Sequence, residues 1–377
     1  MSSLYIHVPF CRRKCPYCDF FSVAATPAHL EAYADLLAAQ LRWVPREGFF
    51  HGPLATVFFG GGTPSLLSAQ AVGAVLAAAA QYLGIAAQAE ISLEANPGTL
   101  DPRTLSGYRA AGVNRLSLGV QSLDAESLQR LGRLHGPAEA RRAVAEARAA
   151  GFDSLSLDLM FALPGQSLEG LERDIDAFLA LEPDHLSCYG LSIEEHTSFH
   201  QACARGELLL PDEDTYAAAF NLVHARLTAA GFEHYEISNY ARPGHFCRHN
   251  QVYWQRRPYL GIGAGAHSFR DRGWGERWAV EGDLEEFRRR LEAGRNPSDL
   301  LETFERQGAM AETLYLGLRT RAGVEIAEFQ RRFGCTPAQA FPQALRRIAS
   351  HLRPEPGRLC LGVDGWLLYD HLIEAFF

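Results

Sequence analysis

The first half of this chain alternates short apolar runs with helical segments, and this rhythm constrains the fold more than any other feature. Six strand-like runs alternate with helix-like runs before residue 192. This alternation predicts parallel βαβ units, because a helix supplies the crossover that parallel strands need. Six right-handed units give an α/β fold with a partial (β/α)6 barrel. The predicted strands are Leu4–Val8, Thr56–Phe59, Glu90–Glu94, Arg115–Gln121, Ser154–Phe161 and His185–Leu191.

The pattern changes after about Ser192. A long amphipathic helix, Thr215–Ala230, precedes residues 232–270, which are rich in Gly, Tyr, His and Asn and show little periodicity. Several helices follow from about Leu284. We therefore predict a first domain over residues 1–236 and a second, α+β domain over residues 237–377.

The end of the second domain resembles a winged-helix module in its predicted elements. Asp364-Gly365 is a hairpin turn signal within the apolar stretch Leu359–Leu368, which predicts strand, turn and strand. The segment Tyr369–Phe376 is predicted to form a closing helix.

The composition excludes several classes of protein. The formal net charge is −8, so the chain as a whole has no electrostatic attraction to nucleic acid or to anionic lipid. No apolar run approaches the roughly 20 residues of a membrane-spanning helix. Met1–Tyr5 carries no basic segment and no long apolar segment, so we expect no signal peptide and a cytoplasmic location.

Three of the eight cysteines lie close together in the segment Cys11-Arg-Arg-Lys-Cys15-Pro-Tyr17-Cys18. A disulfide framework is denser and typical of smaller secreted chains, so these thiols indicate metal ligands in a reducing compartment. A structural zinc site normally has a fourth ligand at matching spacing, and none is nearby. Three thiolates can instead hold three irons of a [4Fe–4S] cluster and leave the fourth iron open. The sequence favours the cluster over zinc.

Further motifs lie at the ends of four other predicted strands. They are Gly60–Pro64, Glu94–Pro97, Gly119–Ser122 and Asp158–Gly165. A glycine run lets a backbone approach a ligand closely, although most such runs only mark a tight turn. Asp158 interrupts an apolar strand, which is costly unless Arg133 or a backbone donor pairs with it. Because parallel strands place their carboxyl ends at one edge, these motifs together predict a single site there.

The spacing CxxxCxxC, with the aromatic Tyr17 before the last cysteine, resembles the radical S-adenosylmethionine (SAM) superfamily. The resemblance implies that the amino and carboxylate groups of SAM chelate the open iron. An electron from the cluster then cleaves SAM to a 5′-deoxyadenosyl radical, which requires a reducing donor.

Within that superfamily the chain resembles the HemN-type coproporphyrinogen III dehydrogenase group, which shares the glycine, Glu-x-Asn-Pro and Gly-Val-Gln motifs. Ala162 replaces the usual glycine of a further shared motif. The resemblance implies that Tyr5, Gly61 and Glu94 contact SAM. It also implies that the neighbouring pocket, where the dehydrogenase binds a second SAM, is lined by Tyr17, Gly62, Thr63, Gln121, Arg133 and Asp158.

Two departures point to a different branch. The dehydrogenases have a fourth cysteine where this chain has Phe20, and they carry a longer segment before Cys11. The motif His249-Asn250-Gln-Val-Tyr253-Trp254 resembles the HNxxYW motif of the HemW branch. The resemblance implies a heme chaperone that delivers heme to acceptors such as cytochromes, and we also expect a homodimer.

An imidazole is a good axial ligand for heme iron, so His249 is the predicted ligand, with Cys247 as the alternative. Tyr253 and Trp254 offer flat apolar surface to a porphyrin. Four flanking arginines could pair with its propionates: Arg242, Arg248, Arg256 and Arg257. A structural role for the His–Asn pair stays open on the residues alone. Propionate decarboxylation and RNA or protein modification are the alternative functions.

Overall fold

A nine-stranded sheet forms the centre of the molecule in the computed structural model, which describes residues 2–44, 49–50 and 52–377. Met1, where the predicted first domain starts, lies outside these residues. Six neighbouring parallel strands follow chain order across the sheet, which confirms the predicted α/β core. These core strands are Ser2–Val8, Leu54–Gly61, Ile85–Ala95, Arg115–Gln121, Ser154–Phe161 and His185–Gly190.

The two faces of the sheet differ because side chains alternate along each strand. The outward face is apolar and packs against the helices, with residues such as Ile6, Leu93 and Leu157 buried in the main core. The inward face carries polar side chains that contact one another across the strands. These are Tyr5, His7, Thr56, Glu90, Glu94, Arg115, Ser117, Ser156, Asp158, His185 and Ser187.

Helices alternate with the core strands and begin at polar caps. Thr26 Oγ1 accepts from the His29 N–H at 3.3 Å, and Asp101 Oδ1 accepts from the Thr104 N–H at 2.7 Å. Among the described residues, no helix combines the length and apolar character that a membrane crossing requires. The helices of this half are Pro27–Trp43, Ala69–Tyr82, Pro102–Ala111, Ala125–Arg130, Pro137–Ala149, Leu168–Leu179, Ser198–Ala204 and Glu213–Ala229.

Two strands from beyond residue 236 extend the sheet. Leu260–Ile262 pairs in parallel with the first core strand, while Asn239–Ala241 pairs antiparallel with the sixth and with Glu233–Glu236. The predicted domain boundary therefore falls between two paired strands of one sheet, and it stays a prediction.

The rest of the chain adds helices and two small antiparallel sheets to the core. The strands are His267–Arg270, Glu276–Val280 and Ser298–Thr303 in one sheet, and Val324–Glu325, Arg358–Leu361 and Leu352–Arg353 in the other. The helices are Arg248–Trp254, Leu284–Glu292, Arg306–Leu318, Ile326–Phe333, Pro337–Ala340, Pro342–Arg347, Val363–Leu367 and Tyr369–Ile373.

The predicted turn at Asp364-Gly365 is wrong, because these residues lie inside the helix Val363–Leu367. Burial of Trp366 stabilises this helix, because the indole is buried and its Nε1–H donates to the Leu318 carbonyl at 3.0 Å. The hairpin lies earlier, where Leu352 pairs with Leu361, and Gly357 adopts the left-handed backbone that the turn requires.

Ala162 also has a left-handed backbone, with φ of 56°. This conformation costs an alanine about 1–2 kcal/mol and a glycine much less. Ala162→Gly should therefore raise the free energy of unfolding by about 0.5–1 kcal/mol, after loss of the buried methyl and of chain stiffness are deducted. Ala143→Gly, at a buried position within a helix, is the control and should lower it by about 1 kcal/mol. Chemical denaturation measures the free energy of unfolding of both variants. An equal decrease in the two would contradict backbone strain at Ala162.

Candidate functional site

The three clustered cysteines sit on a loop that the chain itself holds in place. Phe10–Cys11 and Val23–Ala24 form a two-residue parallel ladder at the base of this loop. The Arg12 guanidinium donates to the Gly98 carbonyl at 3.0 Å, and the Phe199 N–H donates to the Pro16 carbonyl at 2.9 Å. The loop therefore lies at the carboxyl edge of the core strands, as predicted for the site.

All three thiols are free and partly exposed. The described residues contain no group of three or more His, Cys, Asp or Glu side chains that could hold a single metal ion. A four-iron cluster makes a different demand, because each thiolate binds a different iron.

A chain of polar contacts links Cys11 to Cys15. Asn96 Nδ2 donates to Thr63 Oγ1 at 2.9 Å, which leaves the threonine hydroxyl hydrogen for Cys11 Sγ, 3.5 Å from Oγ1. Arg133 donates to Asn96 Oδ1, to the Gly119 carbonyl at 2.6 Å and to Cys15 Sγ at 3.6 Å. Donors aimed at sulfur stabilise a thiolate over a thiol.

Asn96 was not singled out as a site residue in the sequence. Its place in the motif Glu94-Ala-Asn96-Pro97 at a strand end was the available signal. Its amide donates to one neighbour and accepts from another, and thereby positions Thr63 and Arg133 beside the cysteines.

The glycine run packs tightly against its own chain. A Cβ on Gly61 would lie 2.6 Å from the His7 ring, and a Cβ on Gly62 would lie 2.7 Å from the Phe10 carbonyl oxygen. Gly61 also has φ of 112°. These glycines are therefore required by the fold itself, and replacing Gly61 would disturb the strand end whether or not a ligand lies there.

Two carboxyl groups face each other across the inward side of the sheet. Burial, reinforced by the charge of Asp158, raises the pKa of Glu94 to about 8, and one Glu94 oxygen accepts from the Gly61 N–H at 3.2 Å. Burial also raises the pKa of Asp158 to about 6, against the opposing effect of a hydrogen bond from Ser117 Oγ at 3.2 Å. Glu94 therefore holds a proton at neutral pH in the ligand-free protein.

The remaining predicted residues also lie at this edge. Tyr5 Oη is 3.0 Å from His7 Nδ1, and the Tyr17 ring lies 6.2 Å from the Phe199 ring. Gln121 adopts a left-handed backbone with φ of 70°, where the strand pairing is irregular. Strained backbone of this kind collects at binding sites.

His249 is fully buried, and its ring centroid lies 6.4 Å from that of Tyr5. Its Nδ1 is 2.8 Å from Thr56 Oγ1 and its Nε2 is 2.7 Å from Tyr253 Oη, so both ring nitrogens have partners. Burial lowers the pKa of His249 to about 3, so the ring stays neutral. Both ring nitrogens are thus engaged within the protein in this conformation, and axial ligation of heme iron by His249 stays a prediction.

Cys247, the alternative ligand, is only 2% exposed, and its thiol contacts the Glu90 carboxylate. The same carboxylate accepts from the backbone N–H groups of Arg248 and His249 at 3.0 Å each. Glu90 thus caps the helix Arg248–Trp254 and holds it against the base of the barrel. No sequence motif indicates this contact.

The four arginines that flank the motif lie in different surroundings. Arg256 is buried in an ion pair with Glu312, and the Arg242 guanidinium stacks over the Phe232 ring. Arg248 is exposed and donates to the Gln88 carbonyl. The helix Arg248–Trp254, which carries the motif, is called the motif helix below. Among the four arginines, only Arg257 lines a cleft between the motif helix and the C-terminal helices. These arginines do not form one propionate-binding group.

The fold has a solved counterpart in coproporphyrinogen III oxidase (HemN) from Escherichia coli, a radical SAM enzyme. The TM-score is 0.83 at 22% sequence identity, over 99% of this chain and 89% of that one. At this identity the likeness shows the fold alone.

Sequence comparison places the chain more narrowly. Residues 5–178 match the Radical SAM superfamily model, and residues 304–368 match the HemN C-terminal domain model. The chain is 33% identical over 377 residues to the heme chaperone HemW of Lactococcus lactis subsp. lactis strain IL1403, covering 100% of this chain and 97% of that protein. It is 46% identical over 267 residues to the heme chaperone HemW of Escherichia coli strain K12, covering 70% and 69%. With this identity over the full length, the chain belongs to the HemW family of radical SAM proteins.

Proposed function

We propose that this protein is a cytoplasmic heme chaperone that holds a [4Fe–4S] cluster on Cys11, Cys15 and Cys18, binds SAM beside it and delivers heme to acceptor proteins such as cytochromes. The main observation behind the proposal is the loop that carries three free thiols at the carboxyl edge of the sheet. A short backbone ladder holds this loop in place. The names of the relatives support the chaperone activity.

The donor set fits the cluster. Three thiols on one loop, with Thr63 and Arg133 beside two of them, suit a site that keeps one iron open. When bound, the cluster supplies an electron and a coordination position for SAM. The chain's own contribution is to position the thiolates and to stabilise their negative charge.

The residues proposed to hold SAM are Tyr5, Gly61 and Glu94. The Glu94 carboxyl lies beside the glycine run and needs a cationic or hydrogen-bonding ligand to become ionised. Tyr17, Gly62, Thr63, Gln121, Arg133 and Asp158 are proposed to line the neighbouring pocket.

The alternative function, decarboxylation of coproporphyrinogen propionates, has the shared fold in its favour. Against it stands Phe20, which replaces the fourth cysteine of the dehydrogenases and is 68% exposed. A phenyl ring cannot supply the thiol of that position. We therefore favour the chaperone.

The cluster proposal predicts that anaerobic reconstitution gives about four irons per chain and a broad absorption near about 400 nm. Cys15→Ala should lose most of the iron, because one thiolate ligand is gone. Cys203→Ala, which removes a thiol far from the loop in sequence, should keep it. Iron and zinc analysis with absorption spectroscopy measures both. Stoichiometric zinc without iron uptake would contradict the cluster.

The SAM proposal predicts a pH dependence. Because Glu94 is protonated in the free protein below about pH 8, a ligand that requires its carboxylate must displace a proton, so SAM affinity should rise by up to about tenfold per pH unit until that pH. Glu94→Gln should bind SAM weakly at every pH while keeping its iron. Glu195→Gln, an exposed site, is the control. Equilibrium binding measures all three, and wild-type affinity in Glu94→Gln would exclude Glu94 from the site.

The function is tested by two assays on one anaerobic, cluster-loaded preparation. With coproporphyrinogen III, SAM and a reductant, we expect no protoporphyrinogen IX. In a heme titration we expect saturable binding, followed by transfer to an apocytochrome. Efficient decarboxylation would overturn the chaperone assignment, and so would the absence of heme binding.

A further inference from the structure

A cleft of about 660 Å³ lies on the side of the motif helix that faces away from the barrel. The helix Arg248–Trp254 turns His249 inward, while Gln251 and Trp254 line the cleft together with residues of the helices Arg306–Leu318 and Ile326–Phe333. A volume of this size is typical of sites for small organic molecules and cofactors.

Aromatic side chains form much of the cleft wall. Trp254, Phe246, Phe329 and Phe333 line it, and Phe246 stacks on Tyr235 with ring centroids 4.4 Å apart. The Arg319 guanidinium covers Trp254 at 4.1 Å from the ring centroid. Phe329 and Phe333 are only 2% exposed, so the ring surface open to a flat ligand comes from the partly exposed Trp254 and Phe246.

The cleft is more basic than the rest of the chain. Its lining contains five arginines against four glutamates, in a protein whose formal net charge is −8. Arg321 and Arg358 are paired within the lining, with Glu233 and Glu325. Arg257 is exposed and has no ion-pair partner among the described residues, so its guanidinium is available to a carboxylate ligand.

A buried donor in the wall also lacks an acceptor. Trp254 Nε1 is shielded from solvent and makes no hydrogen bond within residues 2–44, 49–50 and 52–377. Such a group costs free energy until a ligand or a rearrangement pairs it. Trp254 therefore contributes ring surface to the cleft wall, while its shielded N–H stays unpaired unless the wall rearranges.

The lining offers little to bind iron. It includes no His, Cys or Met. The Tyr235 hydroxyl is engaged, 2.8 Å from His185 Nε2 and accepting from the Cys247 N–H at 3.3 Å. A metalloporphyrin here would be held by its ring faces and carboxylates rather than through its metal.

We infer that this cleft is the heme-binding site, and that it holds heme by stacking on Trp254 and by pairing of a propionate with Arg257. The inference rests on the proposed function. It moves heme from His249, at the base of the barrel, to the opposite face of the same helix. Binding heme without iron ligation suits a carrier, because transfer of heme to an acceptor that supplies an axial ligand is then favourable in free energy.

The test is a heme titration of the cluster-loaded, full-length protein, followed by Soret absorbance and tryptophan fluorescence. Trp254→Ala should weaken binding by about tenfold or more, while Trp254→Phe, which keeps a flat ring, should stay within about threefold of wild type. Arg257→Ala should weaken binding by about three- to tenfold. The matched control is Arg248→Ala, which removes an exposed arginine outside the cleft, at the start of the helix Arg248–Trp254, and should leave affinity unchanged.

Iron-free protoporphyrin IX should bind within about threefold of heme, since the metal makes no contact with the protein. Heme binding that is equal in wild type, Trp254→Ala and Arg257→Ala would overturn the cleft and leave the chaperone function standing. A heme affinity far above that of the free porphyrin would overturn binding without iron ligation. Wild-type protein that binds no heme would overturn the proposed function itself.

Discussion

Pairing the buried charged side chains on the inward face of the sheet is the constraint on which the rest of the structure depends. An unpaired carboxylate or guanidinium inside a barrel is too costly to persist. At the base, Glu90 receives the amino end of the motif helix, and Arg115 donates to Ser154 Oγ and the His245 carbonyl. These hydrogen bonds close the base of the barrel. At the carboxyl edge, burial raises the pKa of Glu94 to about 8 and that of Asp158 to about 6.

The fold and the edge residues could be predicted because their signals are local. Strand and helix periods appear within windows of about ten residues, and the carboxyl ends of parallel strands meet without further information. His249 could not be placed in this way. Its partner Thr56 is 193 residues distant in sequence, and nothing near His249 indicates which face of its helix meets the barrel. The turn at Asp364-Gly365 failed for a related reason, since burial of Trp366 overrides the local turn preference.

The motif helix serves two environments at once. His249 and Tyr253 complete a hydrogen-bonded chain with Thr56 inside the barrel, whereas Trp254 belongs to the wall shared with the C-terminal helices. One seven-residue helix therefore joins the barrel base to the C-terminal region. The motif alone does not reveal which of its residues meet a ligand and which only hold the helix in place, whereas the hydrogen bonds separate the two groups.

The short ladder beneath the cysteine loop has a consequence for the lifetime of the protein. Phe10–Cys11 and Val23–Ala24 close the loop with backbone hydrogen bonds alone, so the thiols stay neighbours when no inorganic core joins them. Most of the entropy of bringing three ligands together is therefore lost when the chain folds, not when metal arrives. Under the proposed function, a molecule that loses its cluster keeps this ladder, so reassembly needs iron, sulfide and reduced thiols but no refolding.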